Sequence, residues 1–463
     1  MIPSASHTLS GAPHRATARS AVAPRADAVP TRVVAATVAG NALEFYDFVT
    51  YAFFAVYIGK TFFPASTPMG SLLLSLAVFG VGFVARPIGG IVIGAFADRA
   101  GRRPALLLTI ALITIGTLGL ALTPSFASIG EAAPIIVVIC RLIQGLALGG
   151  EIGPSAAFLI ESAPSHRRGF YGSWLLASQG AGILVAGSMG LGRSAALTPA
   201  EMLAWGWRVP FVVGILLLPI ALYLRRNMPE TLHADTVMPS NAGMTGVARQ
   251  RGLIVLAVLV IIGGTVSTYL GNYMTTYAIV TLKMAPVNAM AATVVVGLST
   301  LVFAVLGGWL CDRYGRRPVM FWPRAAAAVL TVPAFLLLVA NPTPLTLFAV
   351  SGVLAALTAI SGAASLVAIP ELLPRGVRAT GMAIAYALGV ALFGGTTQFI
   401  VTWLIEVTHN PVAPAWYLAG ASVITAVAML AMPEAVNGHS KPETDSHRRR
   451  VPDPSGHRRR NLP

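Results

Sequence analysis

Five ionisable side chains lie inside long apolar stretches of this sequence, where a charge is costly. Glu44 and Asp47 share the first stretch, Arg86 lies in the second, and Arg141 and Glu151 lie in the fourth. If these stretches cross a membrane, each central charge costs about 2.5–3.5 kcal/mol on insertion scales. Such residues usually face one another or a hydrated path, and they mark routes for ions, protons or polar molecules.

The two acids of the first stretch could bind a proton. Glu44 and Asp47 are three residues apart and therefore share a helix face. Two carboxylates close together in a low dielectric resist double ionisation, so one of them should take up a proton near neutral pH. A structural ion pair with Arg86 is the alternative, and a pair that breaks on protonation would combine both roles. Glu151 is a third proton candidate, or a partner for an arginine.

Arginine and neutral polar side chains are the candidates for binding a small polar molecule. A guanidinium keeps its charge, and in an apolar cavity it seeks a carboxylate from the protein or from a ligand. The alternative role of such polar residues is to link helices by hydrogen bonds. The predicted contacts are Arg86, Arg141, Gln144, Gln179, Asn272, Tyr273 and Gln398. Arg324 is predicted near the end of its span, where it can reach the interface, so the second half should hold no deep charge.

The composition requires a membrane. The chain has 463 residues, 55% hydrophobic and 11% charged, whereas soluble proteins carry about 25% charged residues. Mean hydropathy is +0.73. Twelve apolar stretches are long enough to span a bilayer as helices. They are predicted at 33–57, 71–97, 105–123, 134–160, 169–192, 209–225, 252–281, 289–310, 319–340, 344–369, 378–405 and 413–432.

Loop charge predicts the orientation and the partners. With both termini in the cytoplasm, inside loops hold fourteen arginines and outside loops only four basic residues, as the positive-inside rule requires. The net charge of +15 then suits anionic lipid headgroups and does not indicate nucleic acid. Two isolated cysteines indicate neither a disulfide framework nor a metal site. Enzymatic and nucleotide-binding signatures are lacking, so no cofactor is expected.

A duplicated motif divides the chain into two related halves. GAFADRAGRR at 94–103 returns as GWLCDRYGRR at 308–317, which is 214 residues later. Such a repeat predicts two copies of one unit, with the binding site where the copies meet. We expect bundles at 33–225 and 252–432, a linker at 226–251, and tails at 1–32 and 433–463.

Charged residues of these repeated loops are predicted to lock a gate on the cytoplasmic side. Asp98 should face the start of the eleventh span, and Arg102 should pair with Glu161. In the second copy, Asp312 should face the fifth span and Arg316 should pair with Glu371. The complete gating set is Asp98, Arg99, Arg102, Arg103, Glu161, Asp312, Arg313, Arg316, Arg317 and Glu371.

Twelve spans, two halves and a GxxxDRxGRR loop resemble the major facilitator superfamily. Further stretches are similar to its metabolite:proton symporter family. They read GNALEFYDFVTYAFFA, RLIQGLALGGE, RRGFYGSWLLASQ and WGWRVPF. Phe170 to Gln179 is most similar to carriers of citrate and tricarballylate.

The resemblance implies an all-α membrane protein with two pseudo-symmetric six-helix bundles, and not an enzyme. It implies an inner-membrane, monomeric carrier that takes up a small organic acid with protons by alternating access. The alternatives are symport of a zwitterion or shikimate-like metabolite (betaine, proline), proton-driven export, and a ligand sensor without turnover.

Overall fold

Helices make up nearly all of the part of the chain that the computed structural model describes, which is residues 31–100, 102–149, 163–216, 250–373 and 378–432. Helices α1 to α6 are Thr31–Phe53, Pro68–Ala100, Arg102–Leu122, Ala132–Gly149, Arg168–Ala196 and Gly206–Leu216. Helices α7 to α10 are Arg251–Val280, Pro286–Tyr314, Arg316–Ala340 and Pro344–Leu372. Helix α11 comprises Arg378–Gly389, a π-helical turn Val390–Gly394 and Gly395–Thr408, and α12 is Ala413–Leu430.

The helices match the twelve predicted spans in order, and the predicted all-α fold is confirmed. Nine helices within the described ranges are long and apolar enough to cross a membrane. Short helices Ala55–Phe62, Phe126–Ile129 and Pro199–Ala204 lie in the connections. The ends of the fourth and sixth spans, both tails and most of the linker lie outside the described residues.

The first helix ends earlier than the predicted boundary at residue 57. Helix α1 stops at Phe53, and Phe54 has φ −102° and ψ 13° before a new helix begins. The Thr50 hydroxyl donates to the Tyr46 carbonyl at 2.6 Å. Such bonds to the preceding turn often bend helices, and α1 ends three residues later, at Phe53.

Glycines bring the backbones of α2 and α4 into direct contact. A Cβ on Gly145 would lie 1.9 Å from the Gly82 carbonyl oxygen, and one on Gly149 would lie 1.9 Å from the Arg86 carbonyl oxygen. A larger residue cannot fit at either position. Arg86 of α2 and Arg141 of α4 both lie over the ring of Phe48, at 4.4 and 5.0 Å from its centre.

The two bundles meet through symmetric helix pairs. In each half the second helix packs against the fifth helix of the other half, so α2 contacts α11 and α5 contacts α8. The backbones again approach closely, since a Cβ on Gly80 would lie 2.7 Å from the Gly395 carbonyl oxygen and one on Gly297 would lie 2.4 Å from the Leu184 nitrogen. Small residues therefore keep both interfaces tight.

Candidate functional site

A buried acid anchors a network of polar side chains in the first bundle. Asp47 on α1 is 7% exposed. One carboxylate oxygen accepts from the Thr117 hydroxyl of α3 at 2.7 Å, and the other accepts from the Gln144 amide of α4 at 3.0 Å. Three helices thus converge on a single carboxylate. Glu44, one turn earlier on α1, is also buried.

Arg141 joins this network through the same glutamine. Its side chain is fully buried, and its Nη1 donates to Gln144 Oε1 at 2.8 Å. The guanidinium carbon lies 4.5 Å from the ring centre of Tyr51, and 5.0 and 5.1 Å from those of Phe48 and Phe79. These rings attract the cation through their π faces. Within the described residues, Nε and Nη2 of Arg141 find no hydrogen-bond acceptor.

Arg86 lies at the boundary between the bundles. Its guanidinium carbon is 4.1 Å from the ring centre of Phe83 and 4.4 Å from that of Phe48. Tyr269 of α7 packs edge-on against Phe83 with 5.2 Å between ring centres. The carboxylate of Asp47 is bonded to Thr117 and Gln144. Asp47 is therefore not held by the ion pair with Arg86 that was the alternative.

A cavity of about 100 Å³ lies mainly within the second bundle, between α7, α9, α10 and α11. Phe45 and Gln179 reach it from the first bundle. Its hydroxyl groups belong to Thr265, Thr268, Tyr269, Thr358, Ser365 and Tyr386. Among the described residues that line it, Arg324 is the only charged side chain.

The position of Arg324 contradicts the prediction from the sequence. Its side chain is 1% exposed and does not reach the interface. Its Nη1 donates to the Gly263 carbonyl at 3.0 Å and to the Ser267 hydroxyl at 2.7 Å. Arg324 lies two turns inside α9, about 12 Å from its start at 1.5 Å per residue. The expectation that the second half holds no deep charge was therefore wrong.

A smaller cavity adjoins the first and contains two predicted ligand contacts. Gln179 lines both cavities, and Asn272 lines the smaller one. The amide nitrogen and oxygen of Asn272 are buried and have no hydrogen-bond partner among the described residues. These two side chains are available to a ligand.

The remaining predicted contacts lie behind the cavity wall. The Tyr273 hydroxyl accepts from Thr402 at 2.9 Å, and the Gln398 amide donates to the Tyr269 carbonyl at 3.3 Å. Arg141 and Gln144 belong to the Asp47 network. Of the seven predicted substrate contacts, the structure thus places only Gln179 and Asn272 at the cavities.

Several cavity residues were missed by the sequence reasoning. Thr358 and Ser365 are seven residues apart, which puts them on one face of α10, but an apolar helix with two hydroxyls is too common to stand out. Arg324 had a usable signal, because it lies seven residues beyond Arg317, the last arginine of the repeated motif.

At the end of the molecule that carries the second motif copy, Asp312 contacts the first bundle. Its two carboxylate oxygens accept from the backbone N–H groups of Gly169 and Phe170 at 2.7 and 2.8 Å. These groups belong to the start of α5, where the helix dipole favours an anion. Arg316 pairs with Glu371 at 3.2 Å inside the second bundle. Both contacts agree with the sequence expectation.

The other predicted gating residues have different surroundings. Arg313 lies over the ring of Trp309 at 5.4 Å, and Arg317 donates to the Leu430 carbonyl at 2.6 Å. Glu151 and Glu161 lie outside the described residues. So do the side chains of Asp98, Arg99, Arg102 and Arg103.

Two bundles joined by symmetric helix pairs, with buried charge and a cavity near their boundary, define a multi-pass membrane transporter. Residues 33–237 match the family profile described as sugar (and other) transporter, and residues 264–461 match that of the major facilitator superfamily. The xylose transporter of E. coli, in a partially occluded inward-open conformation, has a similar fold with a TM-score of 0.71 and 19% identity. That likeness covers 87% of this chain and 97% of the xylose transporter.

Curated relatives narrow the family. The citrate-proton symporter of Klebsiella pneumoniae is 36% identical over 389 residues, which cover 83% of this chain and 87% of the relative. The proline/betaine transporter of Escherichia coli K12 is 32% identical, covering 88% and 84%. The alpha-ketoglutarate permease of the same strain is 33% identical, and the match covers 83% of this chain and 89% of the relative.

This chain belongs to the major facilitator superfamily and, within it, to the metabolite:proton symporters. It is an inner-membrane transporter and not an enzyme.

Proposed function

We propose that this transporter takes up a small di- or tricarboxylate such as citrate together with protons, by alternating access. The observation that carries the proposal is the combination of the buried Asp47–Gln144–Arg141 network in the first bundle with a cavity, mainly in the second, whose described lining includes one cation and no acid. The citrate-proton symporters at 36% identity support the same substrate class.

Asp47 is the proposed proton site. In its ionised form the carboxylate is held by Thr117 and Gln144, and Gln144 is in turn bonded to Arg141. Protonation removes the negative charge from this network and weakens the hold on the guanidinium. Binding of a proton can therefore change the position of α1 relative to α4. Glu44 is the neighbouring second acid, and Glu151 is a further candidate.

Coupling to protons follows from the charge of the substrate. Moving one negative charge against the membrane potential costs about 2.3 kcal/mol per 100 mV. A di- or tricarboxylate cannot accumulate inside a negatively charged cell unless positive charge enters with it. Protons supply that charge, and they are the natural partner because the first bundle contains a titratable group.

The bundles at 33–225 and 252–432 are the proposed moving units, joined by the linker at 226–251. Asp312 holds them together at one end through the start of α5, and this contact breaks when that end opens. The other gating residues act at the same end. Both termini face the cytoplasm, and one chain is sufficient for transport without nucleic acid or another partner.

The decisive experiment is uptake by the full chain in proteoliposomes. Radiolabelled citrate, tricarballylate and 2-oxoglutarate are offered with and without an inward proton gradient, and empty liposomes serve as the control. We expect the gradient to drive accumulation and a protonophore to abolish it. Accumulation that ignores the protonophore would reject proton coupling, and flux driven outward by the gradient would indicate an exporter.

A zwitterion such as betaine or proline is the second candidate substrate. The rings of Phe45, Tyr269 and Tyr386 line the cavity, and aromatic rings can bind a quaternary ammonium. The proline/betaine transporter of E. coli also covers most of this chain. Competition of unlabelled betaine and proline against labelled citrate separates the two candidates.

A further inference from the structure

We propose that Arg324 binds a carboxylate group of the transported substrate, and that the substrate is therefore held mainly by the second bundle. This inference rests on the proposed function of the cavity as the site of carboxylate transport. It adds to that function a binding residue and a location in the second bundle.

Arg324 gives the cavity a positive charge. Arg324 is the only charged side chain among the described residues that line the cavity, and it is 1% exposed. Its hydrogen-bond partners among the described residues, the Gly263 carbonyl and the Ser267 hydroxyl, are both neutral. A buried cation without a counter-ion is costly, so the cavity is electrostatically prepared for an anion.

The guanidinium of Arg324 has more hydrogen-bond donors than the described residues satisfy. A guanidinium has five N–H donors in a planar fork. Nη1 uses its donors on Gly263 and Ser267, whereas Nε has no acceptor among the described residues. A carboxylate accepts two parallel bonds from such a fork. The unmet donor capacity is what a carboxylate would satisfy.

A ligand in the cavity can reach the Arg324 guanidinium. A Cβ built on Gly264 would lie 3.7 Å from Nη2 of Arg324, and no other described residue beyond its own helix comes within 4 Å of it. The glycine therefore leaves open space beside the guanidinium, at a point where both residues line the cavity. Thr358 and Ser365 on α10 add hydroxyl groups on the same cavity wall, and these can bind a further oxygen atom of the ligand.

The test compares Arg324→Gln with the wild-type full chain in two assays, equilibrium binding of labelled citrate and proton-driven uptake. Truncating one partner of a buried charge pair typically reduces affinity by about 30-fold or more. We expect at least that increase in the Kd and the KM for citrate, with a much smaller change in the uptake rate at saturating citrate. If Arg324 only held the fold, Arg324→Gln would impair citrate binding and the maximum uptake rate alike, or would reduce the amount of folded protein.

Two further variants keep the test decisive. Thr331→Ala is the matched control, because Thr331 is buried on the same helix and bonds only to the Ala327 carbonyl of its own helix. It should leave the KM unchanged. If Arg324→Gln does not fold, Ser267→Ala decides, since it removes one Nη1 partner and retains the charge. We then expect a threefold or greater change in the KM.

The outcomes separate this inference from the proposed function. If the wild type accumulates citrate and Arg324→Gln, or its substitute Ser267→Ala, leaves the KM unchanged, the role of Arg324 is overturned and carboxylate transport stands. If the wild type transports betaine and none of the three carboxylates, the proposed function itself fails.

Discussion

Arg141 in the first bundle and Arg324 in the second are both at most 1% exposed, yet their surroundings differ. Arg141 is connected through Gln144 to an acid of the protein, Asp47. Arg324 has a backbone carbonyl and a hydroxyl as partners. One guanidinium is thus bridged to an acid of the protein, whereas the other has neutral partners and lines a cavity.

This difference suggests a division of tasks between the halves of a duplicated chain. A titratable carboxylate can be switched by a proton, whereas an arginine keeps its charge at all relevant pH values. The first bundle therefore has the chemistry for proton binding, and the second has the chemistry for binding an anion. Both are close to the helix pairs that join the bundles.

The largest expected effect is that of Asp47→Asn, which would test the task of the first bundle. The amide cannot take up a proton, so a gradient of two pH units should lose its effect and accumulation should fall by up to about a hundredfold for one coupled proton. Exchange of labelled for unlabelled citrate without a gradient should persist. Proteoliposome uptake and exchange measure the two activities. Gradient-driven accumulation at the wild-type level would break the comparison.

Arg141→Gln should give the opposite kinetic pattern to Arg324→Gln. The variant removes the guanidinium that Gln144 bridges to Asp47, so the network loses its positive charge and one hydrogen bond to a charged group. We expect a fall of at least tenfold in the maximum uptake rate, with the KM for citrate changed less than threefold. The same substitution at Arg324 supplies the internal control. An increase in KM for both variants would show that the two arginines share one task.

Asp312→Asn should shift the equilibrium between conformations. Hydrogen bonds to a charged group contribute about 1.5–3 kcal/mol, and the neutral side chain can accept only through one oxygen from the start of α5. Spin labels at His166 and Tyr314, exposed positions on opposite sides of this contact, would report the change. We expect double electron–electron resonance to give longer distances between the labels in Asp312→Asn than in the wild type.

Arg316→Gln is the matched control for that measurement, because Arg316 and Glu371 both belong to the second bundle. It should move the label distance less than Asp312→Asn does. Equal shifts would mean that the two contacts are not separated into one between bundles and one within a bundle.

The smallest effect is expected at Glu201, a carboxylate in a connection between spans. Hydrogen bonds from the Thr198 backbone N–H and hydroxyl lower the pKa of Glu201 below its ordinary value of 4.5. The ionised form therefore stabilises the short helix Pro199–Ala204, and this contribution is lost as the pH falls below 4.5 and through the lowered pKa. Hydrogen exchange of that helix at pH 7 and pH 3.5 measures the loss. Glu201→Gln should leave uptake at pH 7 unchanged, and a coupling defect would contradict the assignment of proton binding to α1.

The helices and the duplication could be predicted from the chain because the bilayer imposes a length and an apolar composition on every span. The contacts of Asp312 with α5 and of Arg316 with Glu371 also followed from the repeat. The break at Phe54 did not, because the apolar stretch continues through it. The bridge formed by Gln144 did not, because it joins α1 and α4 across 97 positions.

The sequence by itself determined the class of the molecule: apolar length, loop charge and an internal repeat suffice when the solvent is a membrane. Only the tertiary structure decided which buried charge has a partner. An arginine near the start of a helix can extend to the interface or turn inward. For Arg324 the outcome depended on Gly263, Gly264 and Ser267, which are distant from Arg324 in sequence and adjacent to it in space.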